Sequence, residues 1–241
     1  MLRVLDLFSG VGGFSLGLER TRFFQTAAFC EADHKARQVL AKHWPNVPCF
    51  HDVSTLTADQ LRKENIHVDV ITGGFPCQDI STAGKGAGLD GQRSGLWFQF
   101  HRLIREIRPQ WVIVENVSAL RSNGLGTILR GLAEIGYDAE WHCVPASAIG
   151  APHQRDRIWI IAYPNKLGTQ VPPQGEQPAK QVLGGEGEAW RTPAGTWWSV
   201  EPCVGRVADG VPGRVDRLKQ LGNAIVPQMA EIIGHHIARA S

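Results

Sequence analysis

No stretch of this chain approaches the roughly 18 consecutive apolar residues that a membrane-spanning helix needs. The N-terminal MLRVLDLFSG meets an acid and a glycine before a signal-peptide core can form, so a cytoplasmic protein is expected. Metal-type spacing is missing as well. The five cysteines (Cys30, Cys49, Cys77, Cys143, Cys203) are scattered, with no CxxC and no His/Cys cluster, which predicts a reducing compartment and no structural metal. An excess of one charge is also lacking: 25 basic against 23 acidic side chains leave +2, too even to argue for nucleic acid by itself. No internal repeat is visible. With 43% hydrophobic and 20% charged residues, disorder is excluded for the chain as a whole.

What the chain has in excess is glycine and proline, and the excess is local. Residues 164–213 hold seven Pro and nine Gly, little periodicity, and Trp190, Trp197 and Trp198. A plain linker rarely carries a Trp-Trp pair, so this stretch reads as a partly ordered binding segment. The remainder alternates strand and helix signals. Arg3–Leu7 reads as a strand running into Ser9-Gly10-Val11-Gly12-Gly13 and a helix to about Glu19. Thr26–Cys30 is a second strand ending at Glu31, and Asp33 is placed to cap a helix through about His43. Val47–Phe50 leads to Asp52, with Thr57 capping a helix to Glu64. Val68–Thr72 runs into Gly73-Gly74-Phe75-Pro76-Cys77-Gln78. Leu96, Phe100, Leu103, Ile104 and Ile107 share one helical face, and Trp111–Val114 is a strand ending in Glu115-Asn116. Leu125–Ile135 is a helix closed by Gly136. Glu140–Val144 and Arg157–Tyr163 are the last strands. Five βα units in a row predict an α/β domain whose mostly parallel sheet carries helices on both faces. The organisation expected is 1–163 as the main domain, 164–213 as a small irregular insert, and 214–241 as a return. In the return, Pro227 opens a helix that packs back on the main domain.

In such a sheet, ligands sit at the carboxyl ends of the strands, and the rim residues are Asp6 through Gly13, Glu31, Asp52, Pro76-Cys77-Gln78 and Glu115-Asn116. The Gly10-x-Gly12-Gly13 turn lets a ligand approach the backbone. Ser15 replaces the third glycine of GxGxxG, so a cofactor with ribose but no pyrophosphate fits better than a dinucleotide. Glu31 lies 25 residues after Asp6, near the spacing at which an acid takes ribose hydroxyls. Asp52, one strand over, suits an adenine amino group. Taken singly, each acid reads equally well as a solvated strand-end carboxylate. Cysteines are ordinarily inert small hydrophobes, the reading given to Cys30, Cys49, Cys143 and Cys203. Cys77 differs, because it follows Gly-Gly-Phe-Pro at a strand end and precedes a polar stretch, the way a nucleophile is presented. Glu115 on the neighbouring strand end is a proton donor if burial raises its pKa. Arg155 and Arg157, two apart at a strand start, share a face; a surface ion-pair site is the plain alternative.

These residues carry a resemblance. DLFSGVGGFSLGLE (Asp6–Glu19), the Glu31 and Asp52 positions, GGFPCQDIS (Gly73–Ser81), ENV (Glu115–Val117), GAPHQRDRIWIIA (Gly150–Ala162) and RLKQLGNAIVPQ (Arg217–Gln228) occur in this order. Together they resemble the cytosine-C5 DNA methyltransferase family of bacterial or phage type, over nearly all the chain except 164–213. The resemblance implies a Rossmann-like, mostly parallel sheet with an antiparallel edge strand, supplied by the last two strands. It implies S-adenosyl-L-methionine as cofactor, bound by Phe8, Gly10, Gly12, Glu31, Asp52, Pro76, Leu96 and Asn223. It assigns catalysis to Cys77, Glu115, Arg155 and Arg157, without a metal. Cys77 would add to C6 of a flipped cytosine, Glu115 would protonate N3, and the two arginines would hold O2. The Asp79–Arg93 stretch, with Lys85 and four glycines, looks like the loop that closes over that base. The implied partners are double-stranded DNA and a cognate restriction enzyme, the chain itself being monomeric.

The departure from the family pattern is size. A substantial recognition domain ordinarily stands where this chain has only 164–213, and base reading would fall to Arg191, Thr192, Trp197 and Trp198. Three rivals stand beside the leading reading: the RNA-methylating branch of the same family, a non-catalytic DNA-binding remnant of it, and a small-molecule dehydrogenase. The dehydrogenase leaves Pro-Cys-Gln and the Gly222-Asn223 return unexplained, and intact Cys77, Glu115 and Arg157 speak against the remnant.

Overall fold

In the computed structural model, the residues described are 1–76, 95–165 and 223–240. Seven strands are joined in one sheet: β1 (Leu2–Leu7), β2 (Phe24–Cys30), β3 (Cys49–Phe50), β4 (Val70–Gly73), β5 (Trp111–Val117), β6 (Tyr137–Pro145) and β7 (Asp156–Pro164), in the order β3-β2-β1-β4-β5-β7-β6. Pairs among the first five are parallel, and β7 runs antiparallel to both β5 and β6. The expected parallel α/β sheet with an antiparallel edge is therefore present, β7 being inserted between β5 and the outermost β6. Helices α1 (Gly13–Arg20), α2 (His34–His43), α3 (Ala58–Lys63), α4 (Leu96–Ile107), α5 (Leu120–Asn123) and α6 (Leu125–Glu134) follow strands β1 to β5. The C-terminal α7 (Pro227–Ala240) begins at the proline that the sequence suggested.

Both faces of the sheet are covered, so its strands are apolar on both sides and their alternation sorts residues between two cores. Leu5, Leu7, Ile71, Val112, Val114, Ile158 and Ile160 face α3, α4 and α6. Val4, Val70, Ile113, Trp159 and Ile161 face α1 and α7, which contribute Phe14, Leu18, Met229, Ile233 and Ile237. The caps read from sequence are made: Asp33 accepts from the amides of Lys35 and Ala36, and Thr57 from that of Gln60. These caps leave the N-terminal ends of α2 and α3 at the same edge of the sheet as the strand ends.

Several boundaries differ from the sequence reading, β2, β4 and β6 among them (Phe24–Cys30, Val70–Gly73 and Tyr137–Pro145), and three more bear on the site or the sheet edge. β3 is only two residues long. β5 continues past Val114 to Val117, because β7 pairs with it out to Val117↔Arg157; Glu115 and Asn116 therefore lie in the strand and not beyond it. β7 begins at Asp156, and Arg155 stands just outside it with φ +38°, in the left-handed region. The order in which strands are added reverses between β1 and its parallel neighbour β4, since β2 and β3 build outward on one side and β5 on the other. That switch point is where doubly wound sheets form clefts.

Candidate active site

A cavity of about 610 Å³ opens at this switch point, over the carboxyl ends of the parallel strands. Ten of the sequence-predicted site residues line it: Phe8, Gly10, Glu31, Asp52, Pro76, Leu96, Glu115, Arg155, Arg157 and Asn223. Strands in register stand about 4.8 Å apart, so Glu31 on the β2 side and Glu115 on β5, three strand steps away, are separated by roughly 14 Å across the sheet. The cavity thus has an acidic end over β2 and β3 and a mixed-charge end over β5 and β7.

The acidic end is built by backbone. Gly10 N donates to Glu31 Oε2 at 2.7 Å, and Asp33 N donates to Oε1, also at 2.7 Å. Both oxygens of the carboxylate are thereby aimed by main-chain amides before any ligand arrives. Asp52 is exposed, and its Oδ1 accepts from the amide and hydroxyl of Ser54 at 2.8 and 2.6 Å, which hold its carboxyl below the usual range. Phe8 takes φ +53° as the chain leaves β1, an unfavourable conformation for a residue with a β-carbon. Cys30 also lines this end; burial first, and then the nearby Cys49 and acids, push its thiol up to about 12, away from the thiolate form.

The other end is an ion pair. Arg157 Nε lies 2.9 Å from Glu115 Oε1, with both side chains largely buried. Burial pushes the Glu115 carboxyl above the ordinary carboxylate range, against the opposing pull of Arg157 and Arg155. Arg155 directs a guanidinium nitrogen at Ala224 O, 2.6 Å away. Asn116, next to Glu115, is buried; its amide nitrogen donates to Phe75 O at 3.2 Å and its oxygen accepts from Val117 N at 2.8 Å. It ties the β4 exit, which carries Phe75 and Pro76, to the strand that carries Glu115.

Of the other two predicted positions, only Gly12 is among the described residues. Gly12 does not reach the cavity: at φ +85° it caps α1, and a β-carbon there would fall 2.7 Å from the Trp44 ring. Its role is to seat α1 against α2. Cys77 and the Asp79–Arg93 stretch lie outside the described residues, as does most of 164–213. Asp6, read as part of the rim, is instead fully buried beneath it, accepting from Ser15 Oγ at 2.9 Å and Thr72 Oγ1 at 3.0 Å. Sequence reasoning gave no individual role to His51, Asn116 or Gly74, all of which line the cavity. Asn116 had a signal, its position beside Glu115 in ENV, whereas His51 had none beyond preceding Asp52.

Residues 2–186 match the sequence profile of the family described as C-5 cytosine-specific DNA methylase. Among curated proteins, the chain is similar to the Type II methyltransferase M2.BsuMI of Bacillus subtilis, 36% identical over 169 residues, covering 67% of this chain and 42% of that protein. It is also similar to the Type II methyltransferase M.CviJI of Paramecium bursaria Chlorella virus IL3A, 35% identical over 162 residues, covering 66% and 42%. The chain spans about two fifths of the length of these relatives. Among solved structures it resembles a DNA modification methyltransferase encoded within an E. coli prophage, at TM-score 0.60 and 29% identity over 76% of this chain and 50% of that one. The S. pombe Dnmt2 methyltransferase shares the fold, at TM-score 0.58 and 20% identity over 76% and 60%.

Proposed function

The chain belongs to the C-5 cytosine-specific DNA methylase family, and we propose that it transfers a methyl group from S-adenosylmethionine to C5 of cytosine in DNA through a covalent bond between Cys77 and C6. The observation that carries the reading is the single cavity holding an amide-oriented carboxylate, Glu31, at one end and the buried Glu115–Arg157 pair at the other. One end suits a nucleoside, the other a polar base.

The residues fit the cofactor. Glu31 remains cavity-lining although its orientation is fixed, and a β-carbon built at Gly10 meets nothing within 4 Å, so the turn leaves room above it. S-adenosylmethionine, when bound, supplies an electrophilic methyl group. Glu31 would hold the ribose hydroxyls and Asp52 the adenine amine, with Phe8, Gly10, Pro76, Leu96 and Asn223 around them. C5 of cytosine is a poor nucleophile until a thiolate adds at C6, and Cys77 stands in the sequence directly after Pro76 at the cavity wall. Addition drives negative charge to N3 and O2. Glu115, whose carboxyl burial pushes upward, would donate at N3 once it carries a proton, and Arg157, in hydrogen-bond reach of Glu115, would stabilise O2. Loss of the C5 proton to water and elimination of Cys77 restore the thiolate. The base must leave the duplex to reach this pocket, so the reading includes base flipping. A restriction-modification setting accompanies it, by likeness to the Type II relatives.

The test is methyl transfer from labelled S-adenosylmethionine to cytosine-containing duplex. Cys77→Ser is expected to abolish transfer with cofactor affinity retained, because a hydroxyl is far less nucleophilic than a thiolate. Duplex carrying 5-fluorocytosine is expected to trap a denaturation-resistant adduct with the wild type. An active enzyme that forms no such adduct would remove Cys77 from the mechanism. Equal transfer to a matched RNA would move the substrate assignment.

A further inference from the structure

Residues 223–226 bring the C-terminal part of the chain back to the cavity, and three contacts hold them there. A β-carbon at Gly13 would fall 2.6 Å from Ile225 O, so the start of α1 lies directly against this return. At Gly74, the exit of β4, a β-carbon would stand 3.6 Å from Ile225 Cδ1 and 3.0 Å from Glu115 Oε2, which places the return beside the base end of the cavity. The third contact is polar and long-range: Arg155 Nη2 donates to Ala224 O at 2.6 Å, across 69 residues of sequence. A guanidinium donating to a carbonyl is a charge-assisted bond, stronger than its neutral counterpart. Arg155 also holds φ +38°, a conformation that a side-chain-bearing residue keeps only where its surroundings enforce it. Ala224 is next to Asn223, which lines the cavity. Arg157 makes the ion pair with Glu115.

We propose that Arg155 is a positioning residue for the cofactor: by holding Ala224 it sets Asn223 against the cavity, and so joins the cofactor end of the site to the base end. The proposal rests on reading the cavity as an S-adenosylmethionine site. A residue that served only the flipped base would leave cofactor affinity untouched while no DNA is present. A strut acting through the return lowers it.

The experiment titrates the full chain with S-adenosylhomocysteine by calorimetry, without DNA, for wild type, Arg155→Met, Arg155→Lys, Asn223→Ala and the Arg155→Met/Asn223→Ala double variant. Arg155→Met is expected to raise Kd about tenfold, the scale of one charge-assisted hydrogen bond. Arg155→Lys, which keeps a cationic donor, recovers most of that loss. The double variant binds no more weakly than Asn223→Ala alone, because both changes remove the same contact, whereas independent effects multiply. Should Arg155→Met fail to fold, Arg155→Gln carries the same expectation, since its neutral amide is too short to span the gap. Wild-type affinity in the folded Met or Gln variant, or losses that multiply in the double variant, overturn the strut. A wild-type chain that binds no S-adenosylhomocysteine overturns the site reading itself, and the two failures are thereby told apart.

Discussion

Glu115 and Glu140 sit on the same face of the same sheet, the one covered by α1 and α7, and both are buried, at 8% and 4% exposure. In both, burial pushes the carboxyl upward, Glu140 to about 7. Their surroundings differ. Glu115 has Arg157 at 2.9 Å and opens on the large cavity. Among the described residues, Glu140, on β6, has neither carboxylate oxygen hydrogen-bonded and lines neither cavity. A raised carboxyl pKa therefore does not mark a site; a raised pKa with a cation and room for a substrate does.

If the comparison is right, removing the proton from each glutamate has opposite consequences. Glu115→Gln keeps the shape but cannot release a proton to N3, so the methyl-transfer rate is expected to fall by roughly 10²–10⁴, while S-adenosylhomocysteine affinity stays within about twofold. A rate near that of the wild type would strip Glu115 of its role. Arg157→Met tests the cation, turning Glu115 into a second Glu140. Its carboxyl would move further up, and the folded state would lose stability as pH rises from about 4.5, where the unfolded carboxyl ionises, through the new folded value. Urea unfolding should show a loss of about 2 kcal/mol at pH 8 that shrinks at pH 5. An equal loss at both pH values would mean that Arg157 matters by packing alone.

Sequence legibility followed the same division between pattern and pairing. Short-range signals were readable: Asp33 and Thr57 as caps, Pro227 as a helix start, and the strand-end acids that line the cavity. Each depends on a few adjacent residues. What depended on partners distant in the chain was not. The extension of β5 to Val117 needs β7, and the exclusion of Gly12 from the cavity needs Trp44. The rim position given to Asp6 failed because a strand-end acid can point down as readily as out; Ser15 and Thr72 settle it. The Arg155–Ala224 bond spans 69 residues and has no local signature. The catalytic assignments to Arg155 and Arg157 came from resemblance, and their different contacts, Ala224 for one and Glu115 for the other, appear only in the fold.

The smallest expected effect is at Glu140, and it sharpens the comparison most. The group titrates near 4.5 when unfolded and at about 7 when folded. Between those values the native state holds a proton that the unfolded state has lost, so wild-type stability declines as pH rises through this window and is flat above it. Gln at 140 mimics the protonated form and carries no such decline. The difference between Glu140→Gln and wild type is therefore expected to be near zero at pH 4, to grow through pH 5–7, and to level at about 1 kcal/mol in favour of the variant. Asp6, buried and raised to about 7 as well, adds its own decline in the same window, but it is present in both proteins and cancels. Methyl transfer by the variant should match the wild type, since Glu140 touches no cavity residue through a hydrogen bond. Urea titrations at four pH values with activity measured alongside decide it: a variant that is less stable at pH 8, or that loses transfer, would give Glu140 a partner and a role and dissolve the contrast with Glu115.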